Sequence, residues 1–371
     1  MRKAAILAFV VAALAAAPSA FAGGNAPVVF VQTNELGGNH VVVYDRGADG
    51  RLSQAGTYAT GGNGGAAVPG TESDRLASQG SLVYDAGHSL LLAVNAGSDT
   101  ISAFKVQGDR LKLGDVLPSG GQFPASIAVH GDLVYVLNSG GAGTVAGFRT
   151  QGHNLSPIPG SARSLGLANG VPPFFLTSPG QVGFTPDGGK LLVTTKASTS
   201  AIDVFAVQPD GRLSAAPIVN PSATPVPFAF TFASSGRLVD GEAGTSSVTT
   251  YAIQADGSLT DPKSQSDGQT ALCWITPARG FYYVANTGSD TLSGFTIAAD
   301  GQPSLIGATG IVATTEPGPI DLAASSDGRF LYGETGLTST VDEYQVESDG
   351  TLTKLGTVTG LPPGIEGIAA S

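Results

Sequence analysis

The amino-acid sequence predicts an all-β protein, a seven-bladed β-propeller with four antiparallel strands in each blade. Three observations carry this prediction: a repeat of about 50 residues, turn signals at fixed places in each repeat, and two incomplete repeats at the chain ends. Six repeat steps cover the 300 residues from Asn34 to Glu334. A repeat of this length is typical of propellers and solenoids.

Each repeat contains an apolar run, a small polar turn and a second apolar run that ends in an aromatic residue. The copies are LLLAVNAGSDTISAFKV, LVYVLNSGGAGTVAGFRT, KLLVTTKASTSAIDVFAV, RLVDGEAGTSSVTTYAI, FYYVANTGSDTLSGFTI and FLYGETGLTSTVDEYQV. Their alternation and their content of Val, Ile, Thr, Tyr and Phe indicate strands. Asp-Gly pairs before and after these runs, as in TPDGGK and QADGSL, favour tight hairpin turns. Each repeat is therefore expected to form four strands, called A to D in chain order.

The two chain ends predict how the ring closes. Six first strands precede seven B–C hairpins, because the hairpin over residues 28–44 has no first strand before it. The C-terminal GIEGIAAS resembles a first strand and has no hairpin after it. A solenoid needs capping repeats and does not predict complementary halves. We therefore expect the last strand to complete the first blade and to leave no open sheet edge in the ring.

The N-terminus predicts export. Arg2 and Lys3 precede an apolar run over residues 4–17, and small residues surround Phe21 up to Ala22. This is the pattern of a secretory signal peptide, and the run is shorter than the ~20 residues of a membrane-spanning helix. We divide the chain into a signal peptide over residues 1–22 and one propeller domain over residues 23–371. The mature protein is expected to be a secreted or periplasmic monomer, without membrane insertion.

The composition narrows the class of partner. Loss of Arg2 and Lys3 changes the formal charge from -11 to -13. Such an acidic chain repels phosphate backbones and anionic lipids, so nucleic acids and membrane surfaces are excluded as expected partners. Cys273 is the only cysteine, so no intramolecular disulfide can form. The expected partner is a small molecule.

Two segments between blades are longer than the others. They are TGGNGGAAVPGTESD, after the first blade, and GSARSLGLANGVPPF, after the third. Long connections on a rigid scaffold often carry function. We therefore expect them to contribute to a site.

The segments YVANTGSDTLSGF, YVLNSGGAGTVAGF and PDGGKLLVTTK resemble the seven-bladed lactonase-like propeller family. That family includes 6-phosphogluconolactonase-like proteins, carboxymuconate cyclases and YVTN-type surface repeats. The resemblance covers the mature chain, and RLASQGSLVYD, ALCWITP and GPIDLA are similar to an exported branch. It implies a lactone-opening or lactone-forming activity. It also implies His, Glu and Arg at the channel mouth, where this sequence has Ala125, Ser126 and Gln181.

Propeller geometry sorts the titratable residues by face. D–A connections and B–C turns share the face on which ligands enter the central channel, and A–B and C–D turns share the other. His88, His130 and His153 fall on that other face. His40 lies on the site face in the first B–C loop, where it is expected to be a solvated loop residue, so no Ser/His/Asp triad is predicted. The site-face cations Arg75, Arg163 and Lys196 are too few to make a phosphorylated sugar lactone a strong candidate.

One series of candidates occupies the B–C turns. Asn is the usual residue there, and its ordinary role is to stabilise the turn, although Asn95 and Asn286 are also candidate ligand contacts. Lys196 and Glu242 break the pattern in adjacent blades, either as a salt bridge or as part of a site. The full series is Asn34, Asn95, Asn138, Lys196, Glu242, Asn286 and either Glu334 or Thr335.

A second series occupies the openings of the first strands. Asp321 and Glu366 are neighbours in this series and form either a Ca²⁺ site or a pair with one raised pKa that acts as a base. The alternative is that both bind backbone N–H groups. Trp274 either stacks on a ligand or lies in the core, and Cys273 is expected to be a small buried residue. Ser126, Gln181, Trp274 and Glu366 complete the predicted ligand-binding set.

Two functions fit these residues. The first is an exported enzyme that hydrolyses or forms a lactone of a sugar acid or dicarboxylate, with Lys196 as electrophile and Glu242 or Asp321 as base. The second is a non-catalytic propeller that binds a ligand, a cation or a protein. No cofactor is predicted apart from the Ca²⁺ ion of the acidic pair.

Overall fold

The computed structural model describes residues 27–68 and 73–371. The predicted signal peptide lies outside the described residues. Those residues form strands joined by turns and loops, without a helix, and none of them provides a helical segment suited to crossing a membrane. Their strands make up seven antiparallel sheets, so the all-β, seven-bladed prediction is confirmed.

The strands of each blade are given from the channel outwards. Blade 1 contains Ile368–Ala370, Val28–Gln32, His40–Arg46 and Leu52–Ala59; blade 2 contains Leu82–Asp85, Leu90–Asn95, Thr100–Gln107 and Arg110–Pro118; blade 3 contains Pro124–His130, Leu133–Asn138 and Thr144–Gln151, followed by Asn154–Pro157 and Arg163–Ser164 on the same outer edge. Blade 4 contains Gln181–Phe184, Lys190–Thr194, Ala201–Ala206 and Ile218–Pro221; blade 5 contains Pro227–Phe232, Leu238–Glu242, Ser247–Ile253 and Leu259–Ser266. Blade 6 contains Leu272–Ala278, Phe281–Asn286 and Thr291–Ile297, followed by Pro303–Leu305 and Ile311–Thr314; blade 7 contains Pro319–Ala324, Phe330–Thr335, Thr340–Val346 and Leu352–Val358.

The C-terminal strand closes the ring as predicted. It pairs antiparallel with the N-terminal strand, in a register that places Val29 opposite Ala370 and Val31 opposite Ile368. The first strands of neighbouring blades pack against one another around the whole ring. Gly367 precedes the closing strand at a φ of +118°, and a Cβ there would clash with Ser81 Oγ. Only glycine fits this position without strain.

The core lies between blades, and the Asp-Gly turns help to bind each blade to its neighbour. The Tyr332 hydroxyl of blade 7 donates to the carbonyl of Gly50 in blade 1 at 2.8 Å. The Tyr283 hydroxyl of blade 6 donates in the same way to Gly350 of blade 7 at 2.9 Å. The aromatic residue in a second strand and the Asp-Gly turn of the next repeat therefore form one inter-blade contact.

One predicted strand differs from the structure. RLASQGSLVYD, over residues 75–85, is one of the six segments that the sequence predicts as first strands, but the strand is limited to Leu82–Asp85. Residues 74–80, called the channel plug here, instead cross the central channel. The Gln79 side chain donates to the Ile275 carbonyl at 3.0 Å and accepts from the Ile275 N–H at 2.9 Å. These bonds to blade 6 stabilise the plug in place of a regular inner strand.

Candidate functional site

A cavity of about 650 Å³ lies at the channel mouth, above the plug. It is lined by B–C turns of blades 4 to 7 and by the connections that precede the first strands, which confirms that these turns and connections meet on one face. The lining residues are Ser73, Asp74, Phe175, Leu176, Lys196, Val226, Phe228, Ala243, Gly244, Thr270, Ala271, Cys273, Trp274, Thr287 and Leu337. Ligand pockets in proteins commonly have this size.

The two long connections between blades meet at this mouth. The Val68 N–H donates to the Pro173 carbonyl at 2.9 Å, and Val68 forms a parallel β-bridge with Phe174. Asp74, the last residue of the first connection, and Phe175, directly after the second, both line the cavity. The two connections therefore lie at the cavity, and their contribution to a site stays a prediction.

Lys196 lies at the bottom of the cavity wall and is almost completely buried. Its ammonium group donates to the carbonyls of Ala77 at 2.6 Å and Phe175 at 2.5 Å, and to Ser178 Oγ at 2.9 Å. The group also lies 4.9 Å from the centre of the Phe228 ring. Burial lowers the pKa of Lys196 to about 8, although Asp74, Cys273 and Glu366 act in the opposite direction. Lys196 thus joins the channel plug to blade 4 and uses all three N–H donors on the protein.

Asp74 is the acidic residue among the described residues that line the cavity. Burial raises its pKa, while the Lys196 charge and a hydrogen bond from the Glu366 side chain lower it. Glu366 has a pKa raised well above its usual value, first by burial and then by the charge of Asp74. Its other contact is the Leu76 N–H, which donates to Oε2 at 2.6 Å. Burial and the Asp74 charge therefore favour the neutral form of Glu366.

Two more carboxyl groups lie behind this pair, where blade 7 meets the closing strand. Burial raises the pKa of Asp321 to about 7, and its Oδ1 accepts from the Leu322 N–H at 3.0 Å. Burial and the Asp321 charge raise the pKa of Glu334 well above its usual value, and its Oε2 accepts from the Gly367 N–H at 2.9 Å. We call Asp74, Asp321, Glu334 and Glu366 the seam carboxyls, because they flank the junction that closes the ring.

Trp274 and Cys273 line the same cavity from blade 6. The Trp274 indole N–H donates to the Ser78 carbonyl of the plug at 3.0 Å, and its ring packs 4.9 Å from the Phe228 ring. Trp274 therefore lies in the core and also borders the cavity, and its stacking on a ligand stays a prediction. Burial raises the pKa of the Cys273 thiol, which leaves it protonated and a weak nucleophile at neutral pH.

Glu242 and Lys196 do not form the salt bridge that was one interpretation of their positions. Glu242 is buried and accepts hydrogen bonds from the hydroxyls of Thr224, Thr249 and Tyr251, at 2.5 Å from Thr224 and from Tyr251. Lys196 instead binds the carbonyls and the hydroxyl described above. Glu242 is not a lining residue, although Ala243 directly after it is. The two side chains therefore belong to separate hydrogen-bond networks.

The remaining predicted ligand-binding residues lie outside the cavity lining. Asn95 donates to Thr100 and Ser102, and Asn286 donates to Thr291 and Ser293, as expected for turn residues. Ser126 donates to the Gln79 carbonyl at 2.6 Å, and Gln181 bonds both backbone groups of Phe230. Asp321 and Glu366 are also absent from the lining. Of the predicted set, the structure brings Lys196 and Trp274 together at the cavity.

The sequence left open whether Glu334 or Thr335 occupies the B–C turn position of blade 7. The structure places Thr335 there. Thr335 pairs with Thr340, as Asn286 pairs with Thr291 in blade 6. Glu334 therefore lies one residue earlier and on the opposite side of its strand.

In the part of the chain that the structure describes, no three His, Cys, Asp or Glu side chains are arranged to hold a metal ion. The Ca²⁺ site stays a prediction.

Sequence reasoning did not single out Asp74, Phe175 or Leu337 as site residues. Asp74 lies at the end of TGGNGGAAVPGTESD and Phe175 directly after GSARSLGLANGVPPF, the two long connections to which a role was assigned. Loop residues have no hydrophobic period, so no pattern shows which of their side chains turn inwards. A charged residue in an unusually long connection was the one available signal.

Comparison with known proteins agrees with the fold. The family described as Lactonase, 7-bladed beta-propeller matches residues 244–371. No curated protein sequence matches the chain significantly. A protein of Bacteroides uniformis, described provisionally as a 6-phosphogluconolactonase, is 18% identical over 92% of this chain and 99% of its own, with a TM-score of 0.69.

Two further solved structures are similar over most of their length. A protein of Lactobacillus plantarum is 18% identical over 93% of this chain and 98% of its own, with a TM-score of 0.71. The periplasmic gluconolactonase of Pseudomonas aeruginosa is 18% identical over 92% of this chain and 98% of its own, with a TM-score of 0.67. The chain is therefore a seven-bladed β-propeller whose C-terminal third, residues 244–371, is similar to the lactonase family.

Proposed function

We propose that the protein hydrolyses a lactone in the cavity at the channel mouth. One observation carries the proposal: the carboxyl of Asp74 and the ammonium of Lys196 line the same cavity of about 650 Å³. The match to a lactonase family and the similarity of the fold to a gluconolactonase support this chemistry.

Asp74 is the base in this proposal. It takes a proton from water while the water oxygen bonds to the lactone carbonyl carbon and the carbonyl electron pair moves onto its oxygen. When that pair returns, the ring C–O bond breaks, and the leaving oxygen takes the proton from Asp74. The product is the open hydroxy acid. Glu242 and Asp321 stay sequence predictions for this role, and we prefer Asp74 because it lines the cavity.

Lys196 supplies positive charge to the reacting group. Its three N–H donors are bonded to the protein, so it acts mainly through its electrostatic field. The same charge favours the ionised form of Asp74, which is the form that accepts a proton. Above pH 8, loss of the proton from Lys196 removes both effects.

The second candidate function is ligand binding without catalysis. It is favoured by the saturated hydrogen bonds of Lys196, which leave no free N–H donor for a carbonyl oxygen. In that case the cavity binds a lactone-sized molecule, and Asp74 has no role as a base. Turnover and binding must therefore be measured separately.

The test compares Asp74→Asn with Asp210→Asn, which changes an exposed turn carboxylate in the same way. Turnover is followed across a panel of lactones, and binding is followed by the thermal midpoint at increasing lactone concentration. Asp74→Asn is expected to lower kcat by at least about 100-fold, and Asp210→Asn to leave it unchanged. Wild-type turnover in Asp74→Asn contradicts the assigned base. Midpoint shifts without turnover in the wild-type protein favour the second function.

We propose further that residues 1–22 direct export and are removed. The sequence pattern supports this, and a structural neighbour is a periplasmic gluconolactonase. Expression of the full chain should yield a mature protein that begins after Ala22 in a periplasmic extract, as measured by intact mass. Size-exclusion chromatography of this material tests the expected monomer, and a midpoint rise with Ca²⁺ but not Mg²⁺ tests the predicted Ca²⁺ site.

A further inference from the structure

The walls of the mouth cavity are mainly apolar. Two aromatic rings, Phe228 and Trp274, pack against each other on one side at 4.9 Å. Leu176 and Leu337 stand at the rim with 39% and 58% of their surfaces exposed. Exposed leucines beside an apolar cavity provide hydrophobic surface that a bound ligand can cover.

Within the described residues, the cavity offers no free cation to an anionic ligand. Among its described lining residues, Lys196 is the only cationic side chain, and its donors are already bonded. Arg163, a site-face cation by sequence, donates to the carbonyls of Ser214 and Leu213. Arg75, another, is not among the residues that line the cavity. A phosphate ordinarily requires several such donors.

The cavity also offers few partners to a sugar. The hydroxyl-bearing residues of the described lining are Ser73, Thr270 and Thr287, and the Thr287 hydroxyl already donates to the Pro319 carbonyl at 2.8 Å. A polyhydroxylated ring loses its bonds to water when it enters such a cavity, and each hydroxyl left unpaired is costly. An apolar ring substituent loses no such bonds.

We propose that the mouth cavity takes an uncharged lactone with an apolar substituent, and that it discriminates against phosphorylated and polyhydroxylated sugar lactones. The lactone carbonyl lies towards Asp74 and Lys196, and the substituent lies against Phe228, Trp274 and Leu337. This assignment of a substrate class rests on the proposed function.

The first test measures kcat/KM for δ-valerolactone, δ-octanolactone and δ-decanolactone beside glucono-δ-lactone and 6-phosphoglucono-δ-lactone. Each added methylene is expected to raise kcat/KM roughly threefold, because each buries further apolar surface. The two sugar lactones are expected to react at least about 100-fold more slowly than δ-decanolactone. Preference for either sugar lactone overturns the inference and leaves the lactonase proposal standing.

If the protein opens none of these lactones, measurements of ligand binding test the apolar specificity separately from the hydrolysis proposal. A midpoint that rises with δ-decanolactone but not with the sugar lactones contradicts hydrolysis and supports the apolar specificity. Equal midpoint shifts with δ-decanolactone and glucono-δ-lactone overturn the specificity.

The second test places a charge at the rim. Leu337→Lys is compared with Val219→Lys, which changes an outer-strand residue of blade 4 with the same 58% exposure. Leu337→Lys is expected to lower kcat/KM for δ-decanolactone about tenfold and to raise it for 6-phosphoglucono-δ-lactone. Val219→Lys is expected to change neither value. Equal behaviour of the two variants overturns the placement of the substituent.

Discussion

Asp321→Asn is expected to stabilise the protein at pH 8 and to reduce its loss of stability as the pH rises. Asp321 is buried at the seam, and its carboxyl is forced towards the neutral form, with a pKa raised from 3.8 to about 7. Asn has nearly the same shape, and its Oδ1 can still accept the Leu322 N–H. The substitution therefore removes a buried charge while keeping the hydrogen bond.

The magnitude follows from the difference in pKa between the folded and unfolded states. A carboxyl with a raised folded pKa stabilises the fold fully below its unfolded pKa, and this contribution is lost as the pH rises through the folded pKa. For Asp321 the window runs from 3.8 to about 7, which corresponds to about 4 kcal/mol at most. The Asp321 charge also raises the pKa of Glu334, so its removal eases the ionisation of that neighbour. We expect a gain of about 1 to 4 kcal/mol at pH 8 and less than about 1 kcal/mol at pH 4.5.

The measurement is the free energy of unfolding in urea at pH 4.5 and at pH 8, with the wild-type m-value as a check on two-state behaviour. Asp210→Asn, an exposed carboxylate replaced in the same way, should follow the wild-type protein at both values. The argument from the seam carboxyls would be refuted if Asp321→Asn were less stable than wild type at pH 8 and if its free energy of unfolding fell as much as that of wild type between pH 4.5 and pH 8.

Three further predictions follow from the closure and the site. Deletion of residues 362–371 removes the inner strand of blade 1 and is expected to abolish cooperative thermal unfolding. A native near-ultraviolet circular dichroism spectrum of the shortened protein would contradict this prediction. Gly367→Ala is expected to lower the free energy of unfolding by more than about 1 kcal/mol, because Gly367 has a φ of +118°. Gly37→Ala is the control and should lower it less, because a Cβ at Gly37 has no atom within 4 Å. The kcat/KM for a lactone is expected to rise with ionisation of Asp74, whose pKa burial raises, and to fall near pH 8 as Lys196 loses its proton. A rate that stays constant from about pH 7 to about pH 10 excludes the role of Lys196.

The blade count and the ring closure were predictable because they depend on local patterns. The two halves of blade 1 were visible as a hairpin without a first strand and a first strand without a hairpin, and Val31 pairs with Ile368 as that interpretation requires. The Asp-Gly turns were visible too, although their carbonyl contacts with tyrosines of the preceding blade were not. Period and turn chemistry describe a blade, and they contain no information about contacts between blades.

The channel plug could not be predicted in this way. Residues 75–80 precede a strand and align with the first strands of other repeats, yet Ala77 has a φ of 55° and the chain leaves the sheet. Its partners are Lys196, Trp274 and Ile275, between 119 and 196 residues away in sequence. Such contacts join residues that are far apart in sequence, so the local sequence cannot specify them. The position of Asp74 depends on the same contacts.

The plug also gives a reason for the burial of carboxyl groups where the two chain ends meet in the ring. Burying a carboxyl group that has few hydrogen-bond partners lowers the free energy of unfolding. At the junction between the two chain ends, this destabilisation acts on the closure of the ring. Glu366, however, accepts the Leu76 N–H of the plug and binds the Asp74 side chain, so the closing segment also positions the acidic group of the cavity. Residues with strongly shifted pKa values concentrate at functional sites, where a less stable arrangement is retained for its chemistry. Under the proposed function, Glu366 acts as a positioning residue for Asp74, so the closing strand supports both the ring and the proposed site.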